Sequence, residues 1–109
     1  MKEETLKLIG LAKRAGKVMS GSYQVEQAIR KRQARLVLVA QDASDNTKKQ
    51  FRNQCAFRQI LLGCTGSKES LGHAIGQKER SCLAITDDNL AAAVRKRLEE
   101  EGLSWDQGV

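Results

Sequence analysis

The chain is short of the side chains that catalysis and metal binding usually recruit. Its one histidine, His73, lies between Gly72 and Ala74 with no partner readable from spacing, which suits a surface or capping histidine better than a general base. Its three cysteines, Cys55, Cys64 and Cys82, are odd in number and form no CxxC pair. Two of them sit inside apolar patterns, so buried reduced thiols are expected rather than disulfides or a metal site, and no activating histidine stands beside them. Residues 63–68, Gly-Cys-Thr-Gly-Ser-Lys, look superficially like a phosphate loop, but Ser67 separates Gly66 from Lys68 and breaks the consecutive Gly-Lys-Ser/Thr that such a loop needs. No apolar run nears the ~20 residues that cross a bilayer. The first residues carry Lys2, Glu3 and Glu4 before an amphipathic pattern, not the apolar core of a signal peptide. A soluble, unexported, cytoplasmic protein is expected, with no catalysis, no metal, no cofactor and no membrane partner. Repeats, linkers and low-complexity stretches are also missing. The chain therefore reads as one domain over residues 1–101, with 102–109 as a loose tail from which Trp105 can pack back on the body.

Charge is the property most in evidence. The formal net charge is +6, and residues 1–60 hold 13 Lys and Arg against 5 Asp and Glu, whereas residues 61–109 hold 6 against 8. A basic half is the natural counterpart of a phosphate-bearing partner, because neutralised phosphates release condensed counterions. A basic surface kept for solubility would give the same count.

Helix and strand patterns alternate along the chain. Residues 2–15 place Leu8, Ile9, Ala12 and Ala15 at helical spacing, with Gly16 as the stop and Lys13, Arg14 and Lys17 at the negative end of the dipole. Residues 17–21 suit an edge strand. Ser20 or Ser22 is expected to cap a second helix that buries Val25, Ala28 and Ile29 and is followed by Arg30, Lys31 and Arg32. Its start can meet a phosphate through free backbone N–H groups. Residues 36–40, Leu-Val-Leu-Val-Ala, carry the strongest strand signal, and Asp42 or Ser44 caps the helix running through Phe51 and Cys55. Two further apolar runs, at 60–62 and 82–85, read as strands buried on both faces. Between them, Ser67 opens a short helix that Gly76 stops, and Gly72 and Gly76 tolerate positive φ or close backbone approach. Asp87 or Asp88 caps a last helix with Leu90, Val94 and Leu98 on its inner face. Five helices alternating with four strands give an α/β domain with helices on both faces of a small sheet. The polar loop at 77–81, held at both ends and carrying Lys78 and Arg80, looks like a binding loop, although an ordinary solvated connection has the same composition.

Leu71-Gly72-His73-Ala74-Ile75-Gly76, followed by the polar loop and Cys82-Leu83-Ala84-Ile85, resembles the signature of the L-seven-Ae family of kink-turn-binding ribosomal proteins. Residues 6–17, Leu-Lys-Leu-Ile-Gly-Leu-Ala-Lys-Arg-Ala-Gly-Lys, together with residues 40–49, resemble its bacterial YlxQ-type members more closely. The resemblance covers about residues 5–98 and implies a three-layer α/β/α sandwich around a mixed four-stranded sheet, the last strand inserted between the first and second. It also implies non-catalytic binding of structured RNA, in a ribosomal or other ribonucleoprotein setting, through the start of the second helix and the loop before the last strand. The RNA-binding residues it points to are Gly21, Ser22, Tyr23, Gln24, Gln27 and Lys31, with Lys68, Lys78, Glu79, Arg80 and Ser81. In the family's Gly-x-Asn-Glu-x-x-Lys motif Gly21 matches, while Tyr23, Gln24 and Gln27 replace Asn, Glu and Lys. A tyrosine can stack on a base and a glutamine can hydrogen-bond a base edge, but the carboxylate and the cation are gone. From a different class, a protein-interaction module whose basic face meets an acidic protein would fit the same charge pattern.

Overall fold

The first helix, α1 (Glu3–Arg14), opens the computed structural model, which describes residues 1–105. It buries Thr5, Ile9 and Ala12 in one stripe, with Leu8 half-buried; Ala15 lies beyond the last turn and is exposed. Then follow β1 (Val18–Ser20), α2 (Ser22–Arg30), β2 (Leu36–Val39), α3 (Asp45–Arg58), β3 (Leu62–Cys64), α4 (Lys68–Ala74), β4 (Cys82–Ile85) and α5 (Asp88–Glu100).

The sheet has the order β1-β4-β2-β3, so the last strand lies between the first and the second. β4 is antiparallel to both of its neighbours, while β2 and β3 run parallel, pairing Val37 with Leu62 and Val39 with Cys64. Every residue of β2 and β4 is buried, as continuous apolar strands covered on both faces must be. α2 packs with α3, and α1 packs with α4 and α5, which makes the three-layer α/β/α sandwich. Phe51, Ile9, Ile29, Leu38 and Leu83 are among the fully buried side chains, each contributing roughly 1.5–3 kcal/mol by leaving water. No helix of the described residues is long and apolar enough to cross a membrane.

Local chemistry departs from the sequence expectations at the third strand and at the start of α2. The third strand is shifted from 60–62 to Leu62–Cys64, because Gln59 takes the left-handed conformation (φ 59°) that ends α3 and Ile60 N–H still bonds to Cys55 O. Those residues are spent leaving the helix. At the start of α2 neither serine caps: the N-cap is Gly21, at φ 85°, with no side-chain cap bond. At α3 the cap is Ser44, whose hydroxyl accepts from Thr47 N–H, while Asp42 reaches across to accept from Lys68 N–H at 2.8 Å. Ser67 and Ser70 form a reciprocal capping box on α4, and Asp87 accepts from Leu90 N–H at 2.9 Å on α5. After α5 the chain turns back over the sheet. A Cβ on Gly63 would stand 2.6 Å from the Trp105 ring, and Trp105 Nε1 donates to Glu99 at 2.9 Å. Residues 106–109 of the expected tail lie outside the described residues.

Candidate nucleic-acid interface

The central position of β4 brings together two segments some 55 residues apart in the chain. Gly21 N–H donates to Cys82 O at 3.1 Å and Ala40 N–H donates to Ser81 O at 2.9 Å, so the end of β1, the start of α2 and the entry to β4 share one edge of the sheet. Ser20, Gly21, Ser22, Tyr23 and Gln24 line one side of a shallow concavity there, and Glu79, Arg80 and Ser81 line the other.

Arg80 bridges the two sides. Its Nε donates to Ser20 Oγ at 3.4 Å, one terminal nitrogen to Glu79 O at 2.8 Å and the other to Gln77 Oε1 at 3.3 Å. Three of its five N–H donors are thereby used and the guanidinium is held over the concavity with donors to spare. Gly21 is fixed by its backbone: at φ 85° a side chain is strained although a Cβ would meet nothing within 4 Å. Tyr23 projects from the first turn of α2 with 76% of its surface exposed, leaving its ring free to stack. Gln24 Oε1 accepts from Ser20 N–H at 3.3 Å, which leaves its amide N–H donors turned outward for a ligand.

The loop itself is clamped. Gly76 turns the chain at φ 71°, Gln77 N–H donates to Gly72 O, and Arg80 N–H donates to Lys68 O, both at 2.9 Å. Lys68 is in turn tied through its own N–H to Asp42. Lys68 and Lys78 thus stand on a braced backbone, Lys78 exposed and Lys68 half-buried, and neither lines the concavity. Gln27 is half-buried one turn farther along α2, and Lys31 is the C-cap at the other end of that helix, about 13 Å away at 1.5 Å per residue.

Beneath the concavity lies Cys82, fully buried. Burial pushes its thiol up from 9.0 to about 11, against smaller opposing pulls from the Ser81 and Ser22 hydroxyls, so the sulfur is a neutral packing group. Among the described residues none of the three cysteines forms a disulfide. His73 is exposed beside a larger groove of about 850 Å3 between α1 and α4, with Lys7 and Arg14 on its rim. Among the described residues no group of three or more His, Cys, Asp or Glu is placed to hold a metal ion.

Sequence reasoning missed Ser20 and Gln77 as the partners that fix Arg80, and Asp42 as the brace on α4. Ser20 and Arg80 are 60 positions apart, and no local signal connects them.

Residues 3–95 match the model of the ribosomal protein L7Ae/L30e/S12e/Gadd45 family. An RNA-binding protein YlxQ from Bacillus subtilis is 40% identical over 88 residues, covering 81% of this chain and 88% of the relative. A protein of the same name from Enterococcus faecium is 33% identical over 98 residues, covering 90% and 94%. Among solved structures, a protein of unknown function from Bacillus halodurans C superposes with a TM-score of 0.86 at 32% identity, over 90% of this chain and 99% of that one. A 15.5kD RNA binding protein from Giardia lamblia shares the fold, with a TM-score of 0.71 at 20% identity over 92% of each chain. The matched family, the identity to two relatives across most of their length and the inserted fourth strand agree: the chain belongs to the ribosomal protein L7Ae/L30e/S12e/Gadd45 family, as a member of its YlxQ type.

Proposed function

We propose that this chain is a non-catalytic, cytoplasmic RNA-binding protein, associated with the ribosome or another ribonucleoprotein, that holds structured RNA at the concavity between the start of α2 and the loop before β4. Its relatives named RNA-binding proteins support the reading at the level of RNA. The observation that carries it to a site is the pairing of Tyr23 and Gln24 with Arg80 across one concavity. There an exposed ring, outward amide donors and a pre-positioned guanidinium offer stacking, base-edge hydrogen bonding and phosphate contact within a few ångströms. Kink-turn-like RNA from ribosomal or other non-coding transcripts is the target class, with ribosomal proteins as neighbours in the assembly.

The test is a titration of wild type, Tyr23→Ala and Arg80→Ala against one kink-turn RNA and one plain RNA duplex. Arg80→Ala is expected to weaken both RNAs, and Tyr23→Ala to weaken the kink-turn selectively. If neither variant changes either affinity, the concavity is not the binding site.

A further inference from the structure

Much of the chain's positive charge lies away from that concavity. β4 runs against β2 and pairs Ile85 with Leu36, so the edge of the sheet where β2 begins is opposite the edge that holds Gly21 and Ser81. α2 and α3 both finish at this second edge. Arg32 and Arg35, just after α2, line one concavity with Arg58 and Gln59 at the end of α3. Arg30 and Lys31 stand beside it, which makes five cations, four of them arginine. Two acids meet them: Glu26 pairs with Arg30 at 2.6 Å, and Asp88 with Arg35 at 3.2 Å. The side chains of Lys31 and Arg32 have no hydrogen-bonded or ionic partner among the described residues.

Favourable interaction with the helix dipole accounts for a cation in a last turn, as at Arg30 and Arg58. It does not account for Arg32 and Arg35, which lie beyond the helix. Phe57, the residue before Arg58, is 81% exposed, with the Arg58 guanidinium 5.3 Å from its ring centre. Arginine's planar fork matches phosphate oxygens in pairs, and an exposed ring with a neighbouring arginine is a platform on which a base stacks. An acidic protein surface would meet the charge but would leave that platform unused.

We propose that this edge is a second nucleic-acid surface, which grips the backbone of a flanking single-stranded segment of the same RNA that is held at the α2 start. The inference rests on the RNA reading above. The described residues extend 30 × 26 × 26 Å, so an RNA that touches both edges runs along the protein for about that distance.

The experiment uses the full chain with two probes, a kink-turn RNA and the same RNA with a single-stranded extension. The variants are Arg32→Glu/Arg58→Glu, the milder Arg32→Gln/Arg58→Gln, and Arg80→Ala, each checked by thermal melting. Both double variants are expected to weaken the extended RNA, the charge reversal by roughly ten-fold, and to leave the short one within about two-fold. The salt slope should flatten by about one for every phosphate that is no longer neutralised. Unchanged binding of the extended RNA by the charge-reversed protein overturns the proposal. Equal weakening of both RNAs overturns it too, since a general field would then be acting. Weaker binding by Arg80→Ala with none in the double variants removes this surface and keeps the first. If wild type binds neither RNA, both readings fall.

Discussion

A Cβ on Gly72 would lie 1.4 Å from the carbonyl oxygen of Lys78, closer than any non-bonded pair of atoms can approach. The middle of α4 and the loop before β4 are in direct backbone contact, and only the missing side chain at Gly72 lets that loop lie where it does. Gly72→Ala is expected to destabilise the fold by about 1–3 kcal/mol as an overpacking change and to displace Lys78 and Arg80, so RNA affinity falls with it. Gly76→Ala, where φ is 71° but no atom is within 4 Å, should cost about 1 kcal/mol through backbone strain alone. Urea denaturation of the two variants beside wild type checks this. A Gly72→Ala protein as stable as wild type would show that the loop is not anchored by this contact.

RNA affinity should fall steeply with salt. With about four to six phosphates neutralised, the slope of log affinity against log salt is expected near −3 to −5, at ~0.7–0.9 per contact. Titrations at several salt concentrations measure it, and a flat response would remove the electrostatic account.

Base discrimination should follow the α2 start. Gln24→Ala is expected to cost about 1–3 kcal/mol on the preferred RNA and little on a plain duplex, because base-edge contacts carry the discrimination. Tyr23→Asn, Gln24→Glu and Gln27→Lys together should raise kink-turn affinity by supplying the carboxylate and cation that the chain lacks. Unchanged affinity in a folded triple variant would move the reading of bases elsewhere.

The Cys82 thiol makes stability depend on alkaline pH. Burial favours its neutral form, raising it from 9.0 to about 11, so its contribution is complete below pH 9 and disappears as pH rises through 11, on the order of 2 kcal/mol in total. Urea midpoints for wild type and Cys82→Ala, compared near neutrality and at about pH 10.5, isolate the effect because the other titrating groups are common to both. The difference between the two proteins should shift against wild type at the higher pH. A constant difference would mean that the thiol reaches water.

The parts of this fold that are legible from sequence are those whose cause is local. Val25, Ala28 and Ile29 are buried because their spacing puts them on one face of α2, and residues 36–39 form a central strand because an unbroken β-branched and leucine run suits burial on both faces. Ile60 is ambiguous for a local reason as well: the left-handed turn at Gln59 decides how many residues the chain uses in leaving α3, and glutamine does not advertise that turn. What stays hidden depends on the sheet. Ser20 faces Arg80, and Arg32 faces Arg58, only because β4 slots between β1 and β2 and because α2 and α3 end at the same edge. The resemblance of residues 5–98 to a known family implies that strand order, which periodicity does not contain.

That strand order also sets a timetable. Among the described residues β1 has no strand partner except β4, and the N–H of Gly21 bonds to a carbonyl that arrives only with Cys82. A chain emerging from the ribosome therefore exposes its basic first half, with the start of α2 present but unseated, until more than three quarters of its length has been made. The concavity cannot close around RNA before that strand is threaded into place. Chains arrested before Cys82 should then be protease-sensitive at β1, and chains extended past α5 should resist. Equal sensitivity at both lengths would show that β1 finds its place without the strand that flanks it.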